Sequence, residues 1–378
     1  MSFKRLRPLI ICMILWFTTQ TAFSQMAQIS QDPGRQIVIM KKQWAREGNF
    51  INILPDKENI FFMGDSKVMA GIIPKLFDKE NQDRTHSYNI SLPGLPLAPH
   101  YFWLRNYLAR GGKAPDYILI NLKKAGWNFF NFAGYSILRA DPDEALQYYW
   151  ASRNEDILIN YFIPLRYNWP LAKRYLIGRL YQIAPPSLQA KFIEAYCVKQ
   201  IGRETYPHDW RLFFEMMFVH PGERVREREK FVEDQRGYYQ FREAQAKGGI
   251  LPDNYIYEKK GDWGEGNDEL NDPFVEKFFR LTQKHGIRVI LFNTYLLESQ
   301  KEDRQGVGIP ALWQEAIRKY PHVAYSEKGK DFQIYPNRYF SDPLHLTREG
   351  AEIFTRQAGE IFRDAKHKWK ASDEPLSL

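Results

Sequence analysis

Three short apolar runs constrain this chain more than any other feature. Ile60-Phe61-Phe62-Met63 stops at Gly64, Tyr117-Ile118-Leu119-Ile120-Asn121-Leu122 comes after Gly111-Gly112, and Arg288-Val289-Ile290-Leu291-Phe292 comes after Gly286. Runs this short, bounded by glycine and apolar almost throughout, predict strands buried on both faces, since a strand with one wet face alternates polar and apolar residues. Shorter strands are expected at Tyr88-Asn89-Ile90, closed by Ser91-Leu92-Pro93-Gly94, and at Val323-Ala324-Tyr325. Between them, helical spacing is read from Val68 to Leu76, Tyr101 to Ala109, Asp272 to His285 and Pro310 to Tyr320. A last helix, capped by Thr347, is expected to run to about Lys366. Strands alternating with helices argue for an α/β fold: a three-layer α/β/α domain around a mostly parallel, doubly wound sheet.

The rhythm breaks between residues 132 and 270, where Tyr, Trp, Arg and Glu are dense and the periodicity is helical, as in Ser187 to Ile201 and Arg224 to Lys247. Pro185-Pro186 and Asp262 to Asn267 punctuate this stretch, which reads as a mainly helical insertion. The expected organisation is a signal peptide at 1–24, the first part of the α/β domain at 25–131, the insertion at 132–270, the second part at 271–367 and a flexible tail at 368–378.

The N-terminus carries Lys4, Arg5 and Arg7, then the apolar stretch Leu9 to Phe17, then Ala22-Phe23-Ser24 with small residues where a signal peptidase reads. Cleavage after Ser24 is expected, and an uncleaved anchor is the alternative, although the apolar run falls short of the roughly 20 residues of a membrane span. Such a leader implies export to the periplasm or cell surface. Removing its three cations lowers the formal net charge from +8 to about +5. Of the two cysteines, Cys12 lies in the leader, so a processed chain keeps Cys197 alone and forms no internal disulfide. There is no concentrated basic block and no zinc-type spacing, so nucleic acid is not an expected partner. Aromatic residues make up 15% of the chain, and most are assigned to core packing.

In doubly wound sheets, sites form beyond the carboxyl ends of strands. Ser66 follows the first run, Gly94 the second and Asn121 ends the third, while Asp342 and His345 lie between the last short strand and the final helix. A serine hydroxyl needs a base to become a nucleophile, and the base needs an orienting partner. His345 is the candidate base, and Asp342, three residues earlier, can hold its imidazole from the same turn. The backbone N–H groups of Ser66 and Gly94 and the side-chain amide of Asn121 are candidate oxyanion donors, with Asn128 as a competitor for the last place. Taken singly, Gly-Asp-Ser is usually a turn and Asp-x-x-His usually a helix cap; their order and shared placement at strand ends favour the catalytic reading. Asp65 is read as stabilising the turn, and Lys67 as pointing away from Ser66. The acid-rich stretch Asp262 to Asp272 reads as a solvated loop sooner than a cation site.

These residues resemble the SGNH (GDSL-like) hydrolase superfamily. Phe61-Phe62-Met63-Gly64-Asp65-Ser66 resembles its first block, Asn89-Ile90-Ser91-Leu92-Pro93-Gly94 its second, and Asp342-Pro343-Leu344-His345 with Leu346-Thr347-Arg348-Glu349-Gly350-Ala351 its last. The third block departs from the usual Gly-x-Asn-Asp, reading Ile120-Asn121-Leu122-Lys123. Because Asn89-Ile90-Ser91 falls in the second block, its match to a glycosylation sequon is discounted. The wording of the last block is similar to that of exported relatives that move acyl groups in cell-envelope polymers. The resemblance implies an acyl-serine mechanism needing no metal or organic cofactor. It also implies an acylated carbohydrate or polysaccharide as substrate, with membrane-associated acyl-donor or polymer-export proteins as partners. Two other readings stay open: a non-catalytic assembly subunit of a polysaccharide secretion machine, and a lipid esterase with an apolar lip near Ser66.

Overall fold

The computed structural model describes residues 33–48, 50–92, 97–121, 144, 146–147, 149–150, 173, 176–198, 211, 214, 223–240, 273–300 and 311–373. The elements that the argument uses are, in chain order, α1 (Pro33–Glu47), β1 (Glu58–Met63), α2 (Ser66–Gly71), α3 (Pro74–Glu80), β2 (Thr85–Asn89), α4 (Leu97–Ala109) and β3 (Tyr117–Ile120). They continue with α5 (Pro186–Ile193), α6 (Glu223–Asp234), α7 (Pro273–Lys284), β4 (Arg288–Leu291), β5 (Tyr295–Leu297), α8 (Ala311–Lys319), β6 (Val323–Tyr325), β7 (Gln333–Tyr335) and α9 (Arg348–Asp373). The chain divides into two compact units, residues 1–36 with 130–228 and residues 37–129 with 229–378.

The second unit is a mixed α/β structure. Its sheet runs in the order β2-β1-β3-β4-β6, every neighbouring pair parallel. Register aligns Tyr88, Phe61, Ile118, Val289 and Val323 in one row across it. Side chains alternate along a strand, so this row and its second neighbours face one side. They pack there with Met40 and Trp44 of α1, Trp103 and Tyr107 of α4, Phe278 and Phe279 of α7 and Trp313 of α8. The intervening residues, Ile60, Phe62, Leu119 and Ile290, face the other side with Val68 of α2, Phe77 of α3 and a stripe along α9. That stripe, Ala351, Phe354, Ala358, Ile361, Phe362, Ala365 and Trp369, follows helical periodicity. Each fully buried phenylalanine on these faces is worth about 1.5–3 kcal/mol of transfer free energy.

Several elements differ from the sequence expectation. The helix read from Val68 to Leu76 is two helices. Pro74 has no amide to continue α2 and pushes Ile73 into extended backbone, at φ −100° and ψ 102°. Strand β2 starts three residues early because its buried polar side chains are satisfied locally: Thr85 donates to Asp78 at 2.9 Å and Ser87 to the Pro74 carbonyl at 3.1 Å. Helix α1 was not anticipated, since Lys41, Lys42 and Gln43 break up its apolar residues Ile37, Val38, Met40, Trp44 and Ala45. The small parallel pair β5–β7 was missed because three residues are too few to display a period. Helix α9 runs to Asp373, so residues 368–373, expected in a flexible tail, are helical. Trp369 extends the apolar stripe there and lies against Tyr117 and Arg288.

Part of the expected insertion also belongs with the sheet. Residues 229–240 fall in the sheet unit, where the Asn89 amide donates to the Arg236 carbonyl at 2.8 Å and the Tyr239 amide to the Met69 carbonyl at 3.3 Å. Arg236 also pairs with the buried carboxylate of Asp78 at 2.6 Å. In the first unit, α5 is followed by a π-helical turn, Glu194–Val198, and Ile177, Tyr181 and Phe214 form a small apolar cluster with Phe192 packed against it. The expected signal at 1–24, most of the insertion and the loop Asp262 to Asp272 lie outside the described residues. Among the described residues no helix is long and apolar enough to cross a membrane.

Thr347 caps α9: its hydroxyl accepts the Gly350 amide at 3.2 Å. Thr347→Ala is expected to lower stability by about 1 kcal/mol, and Thr347→Ser to recover most of it, in denaturant melts. Equal midpoints for Ala and wild type would show that the cap contributes nothing.

Candidate active site

The parallel order reverses direction at β1: the chain moves out to β2 and then crosses back to β3. The region beyond the carboxyl ends of β1 and β3 is therefore a topological switch point, where ligands settle in open α/β sheets. Ser66 follows β1 and Asn121 follows β3.

Gly64 makes the turn out of β1. Its φ is +157°, and a Cβ there would sit 2.5 Å from Val68 Cγ2, so a larger residue would displace the first turn of α2. Asp65 then caps that helix, its Oδ1 accepting the Lys67 amide at 3.0 Å. Ser66 is the first helical residue, partly exposed. The other end of α2 is held by Asn89, whose side-chain amide donates to the carbonyls of Val68 at 3.0 Å and Ile72 at 2.9 Å. Asn89 is wholly buried in this role, so its sequon offers no acceptor for a glycan.

The sheet's far half delivers the acid–base pair. His345 Nδ1 lies 2.9 Å from Asp342 Oδ2 and 3.0 Å from Oδ1. Asp342 Oδ1 also accepts the amides of Leu344 at 2.8 Å and His345 at 3.0 Å, so the turn that positions the carboxylate also aims the imidazole. A carboxylate only accepts, which assigns the proton to Nδ1 and makes Nε2 of the neutral ring the basic nitrogen. Both side chains are largely buried, at 13% and 7% exposure.

Tyr295 of β5 bridges the two halves. Its hydroxyl donates to the Lys67 carbonyl at 3.0 Å, and Lys67 Nζ donates back to the Tyr295 carbonyl at 3.0 Å. Lys67 is thus engaged with β5. Burial holds the Tyr295 hydroxyl neutral, well above the usual phenol range, and the nearby carboxylates of Asp65 and Asp342 push it further the same way. Tyr295 thus lies near both the nucleophile turn and the acid–base turn, while no hydrogen bond joins Ser66 Oγ to His345 Nε2 in this structure. Thr355 of α9 ties that helix to the end of α2, accepting the Ile73 amide at 3.0 Å while its own proton goes to the Ala351 carbonyl at 2.6 Å.

Asn121 is buried at 7% exposure beside Gly64, its Cβ 3.5 Å from where a Gly64 Cβ would stand. Its backbone amide donates to the Met63 carbonyl at 3.2 Å, and neither side-chain amide atom has a hydrogen-bond partner among the described residues. Gly94 and Asn128, the other expected oxyanion candidates, lie outside the described residues. Sequence reasoning passed over His100, whose Nε2 lies 2.9 Å from the Gly64 carbonyl, and Tyr295. Each looks locally like an ordinary core residue, and no residue pattern near either one signals its role. Among the described residues no group of three or more His, Cys, Asp or Glu is disposed to hold a metal ion.

No protein-family model matches this chain, and no curated protein matches it.

Proposed function

We propose that this protein is a serine-dependent acyl-ester hydrolase or O-acyltransferase of the SGNH type, acting on an exported or cell-envelope polysaccharide. The observation that carries the reading is the buried Asp342–His345 pair, in which the carboxylate faces Nδ1 and leaves Nε2 as the basic nitrogen. The buried amide of Asn121 beside Gly64, which has no hydrogen-bond partner among the described residues, supports it, because such a donor suits an oxyanion that forms only during reaction.

In this mechanism Ser66 Oγ attacks the ester carbonyl carbon while its proton passes to His345 Nε2. The carbonyl electron pair moves onto oxygen, facing Asn121 and the Ser66 amide. Collapse breaks the bond to the alcohol, which leaves with the proton from His345, and Asp342 stabilises the imidazolium in between. The acyl-serine is then attacked by water or by a sugar hydroxyl, with His345 again taking the proton; collapse breaks the bond to Ser66 Oγ, which leaves with that proton and regenerates the free serine and neutral imidazole. Hydrolysis and transfer differ in which acceptor occupies the site. Export and envelope placement rest on the basic and apolar leader together with the block resemblance.

The test is reaction with an alkyl fluorophosphonate, in which the serine oxygen displaces fluoride at phosphorus. The expected result is one adduct, mapped by mass spectrometry to the peptide carrying Ser66. No adduct, or one elsewhere, would overturn the enzyme reading and favour an assembly subunit. Acetylated glycans are then compared with short-chain lipid esters. Leu344, 39% exposed beside His345, is the feature that would favour lipid, and faster turnover of the lipid esters would reassign the substrate.

A further inference from the structure

Lys41 of α1 is wholly buried, yet among the described residues its Nζ has one hydrogen-bond partner, the Ser91 carbonyl at 2.8 Å. No carboxylate among the described residues pairs with it. Helix α1 is fixed at this point by Trp103 of α4, whose indole N–H donates to the Lys41 carbonyl at 2.6 Å. Burying an amine without a counter-ion is unfavourable, and a leucine or methionine would fill the same space at less cost. Burial alone holds this amine well below the usual lysine range.

What the amine holds is more telling. Ser91 precedes Leu92, whose amide donates to the Gly64 carbonyl at 2.9 Å. His100 Nε2 lies 2.9 Å from the same carbonyl and 3.3 Å from the Gly64 amide, and the shorter contact assigns it as donor to the carbonyl. Gly64 is the softest joint between β1 and Ser66, because a residue without Cβ has the widest backbone freedom. Its carbonyl is gripped from two sides: by Leu92, which Lys41 anchors through Ser91, and by His100.

We propose that Lys41 is a positioning residue for the Gly64–Ser66 turn, acting through Ser91 and Leu92, with His100 as the second arm of the same brace. The inference rests on Ser66 being the nucleophile. It assigns a purpose to a buried amine that touches neither Ser66 nor the acid–base pair, and it explains why the segment from Ser91 to Leu92 keeps its register against the nucleophile turn. Displacing a reacting atom by even about 1 Å lowers rate by about 100-fold, so slackening this joint affects the bond-forming step more than reagent binding.

The test is fluorophosphonate labelling of the full chain across reagent concentrations, on protein whose folding is checked by circular dichroism and thermal melting. Lys41→Met keeps a side chain of similar length and removes the buried donor. It is expected to melt no lower than wild type while its limiting labelling rate falls about 10- to 100-fold, with the half-saturating concentration changed less than about threefold. His100→Leu should behave in the same direction, and His100→Gln, which retains an N–H donor, should recover most of the rate. Lys41→Met labelling at the wild-type rate, or losing rate only in proportion to folded protein, would overturn the proposal. So would equal loss in His100→Leu and His100→Gln. A wild-type protein that is not labelled at Ser66 overturns the underlying nucleophile reading, whereas a labelled wild type with an unaffected Lys41→Met overturns the brace alone.

Discussion

Asp342→Asn is expected to slow fluorophosphonate reaction at Ser66 by about 10,000-fold while leaving the fold intact. Asparagine retains an oxygen that can still accept the Leu344 and His345 amides now bound to Asp342 Oδ1, so the turn persists. Its amide nitrogen, however, would face His345 Nδ1 with a donor. The imidazole must then accept at Nδ1 and carry its proton on Nε2, the nitrogen that should take the proton from Ser66. The same residue also loses the charge that stabilises the imidazolium formed during attack. A variant within tenfold of the wild-type rate would mean that Asp342 serves only as a turn former before α9. A variant that loses rate together with its thermal transition would mean that the carboxylate is structural. The expected combination, a lost rate on an intact fold, separates the catalytic reading from both.

Gly237→Ala is expected to destabilise the protein by about 4 kcal/mol, seen as a fall in melting midpoint of roughly 8 °C. Gly237 has φ +96°, where residues with a Cβ are strained, and a Cβ there would stand 1.9 Å from the Asn89 carbonyl oxygen and 2.8 Å from its carbon. Both contacts are with backbone, so no side-chain rotation relieves them. The segment carrying Gly237 would have to lift from β2, breaking the bond from the Asn89 amide to the Arg236 carbonyl and that from Tyr239 to Met69. Because the Asn89 side chain secures the last carbonyls of α2, the displacement reaches the helix that begins with Ser66. Labelling should therefore slow even in the fraction that stays folded. A Gly237→Ala protein as stable as wild type would show that residues 236–239 do not lie on β2 in solution.

Some of this was written locally in the chain. The three apolar runs fixed the central strands, because burial on both faces leaves a mark within four to six consecutive residues. The Asp342–His345 pair was legible because both partners sit three residues apart in one turn, and their contact needs no distant element. The Thr347 cap was legible for the same reason. Ser66 could be placed after a strand, and Asn121 at the end of another, without knowing which strands are neighbours.

Only the tertiary structure decided that β1 lies between β2 and β3, which sets Ser66 and Asn121 on either side of the switch point. It also decided which residues brace the nucleophile turn. His100 reaches Gly64 across 36 residues, Lys41 reaches Ser91 across 50, and Lys67 meets Tyr295 across 228. Such pairings leave no period or motif, since each partner's own neighbourhood is that of an ordinary core position. Sequence determined the parts of the candidate site whose geometry is made within one turn. The parts made by packing one helix or strand against another depend on chain closure over long separations, and became visible only with the fold.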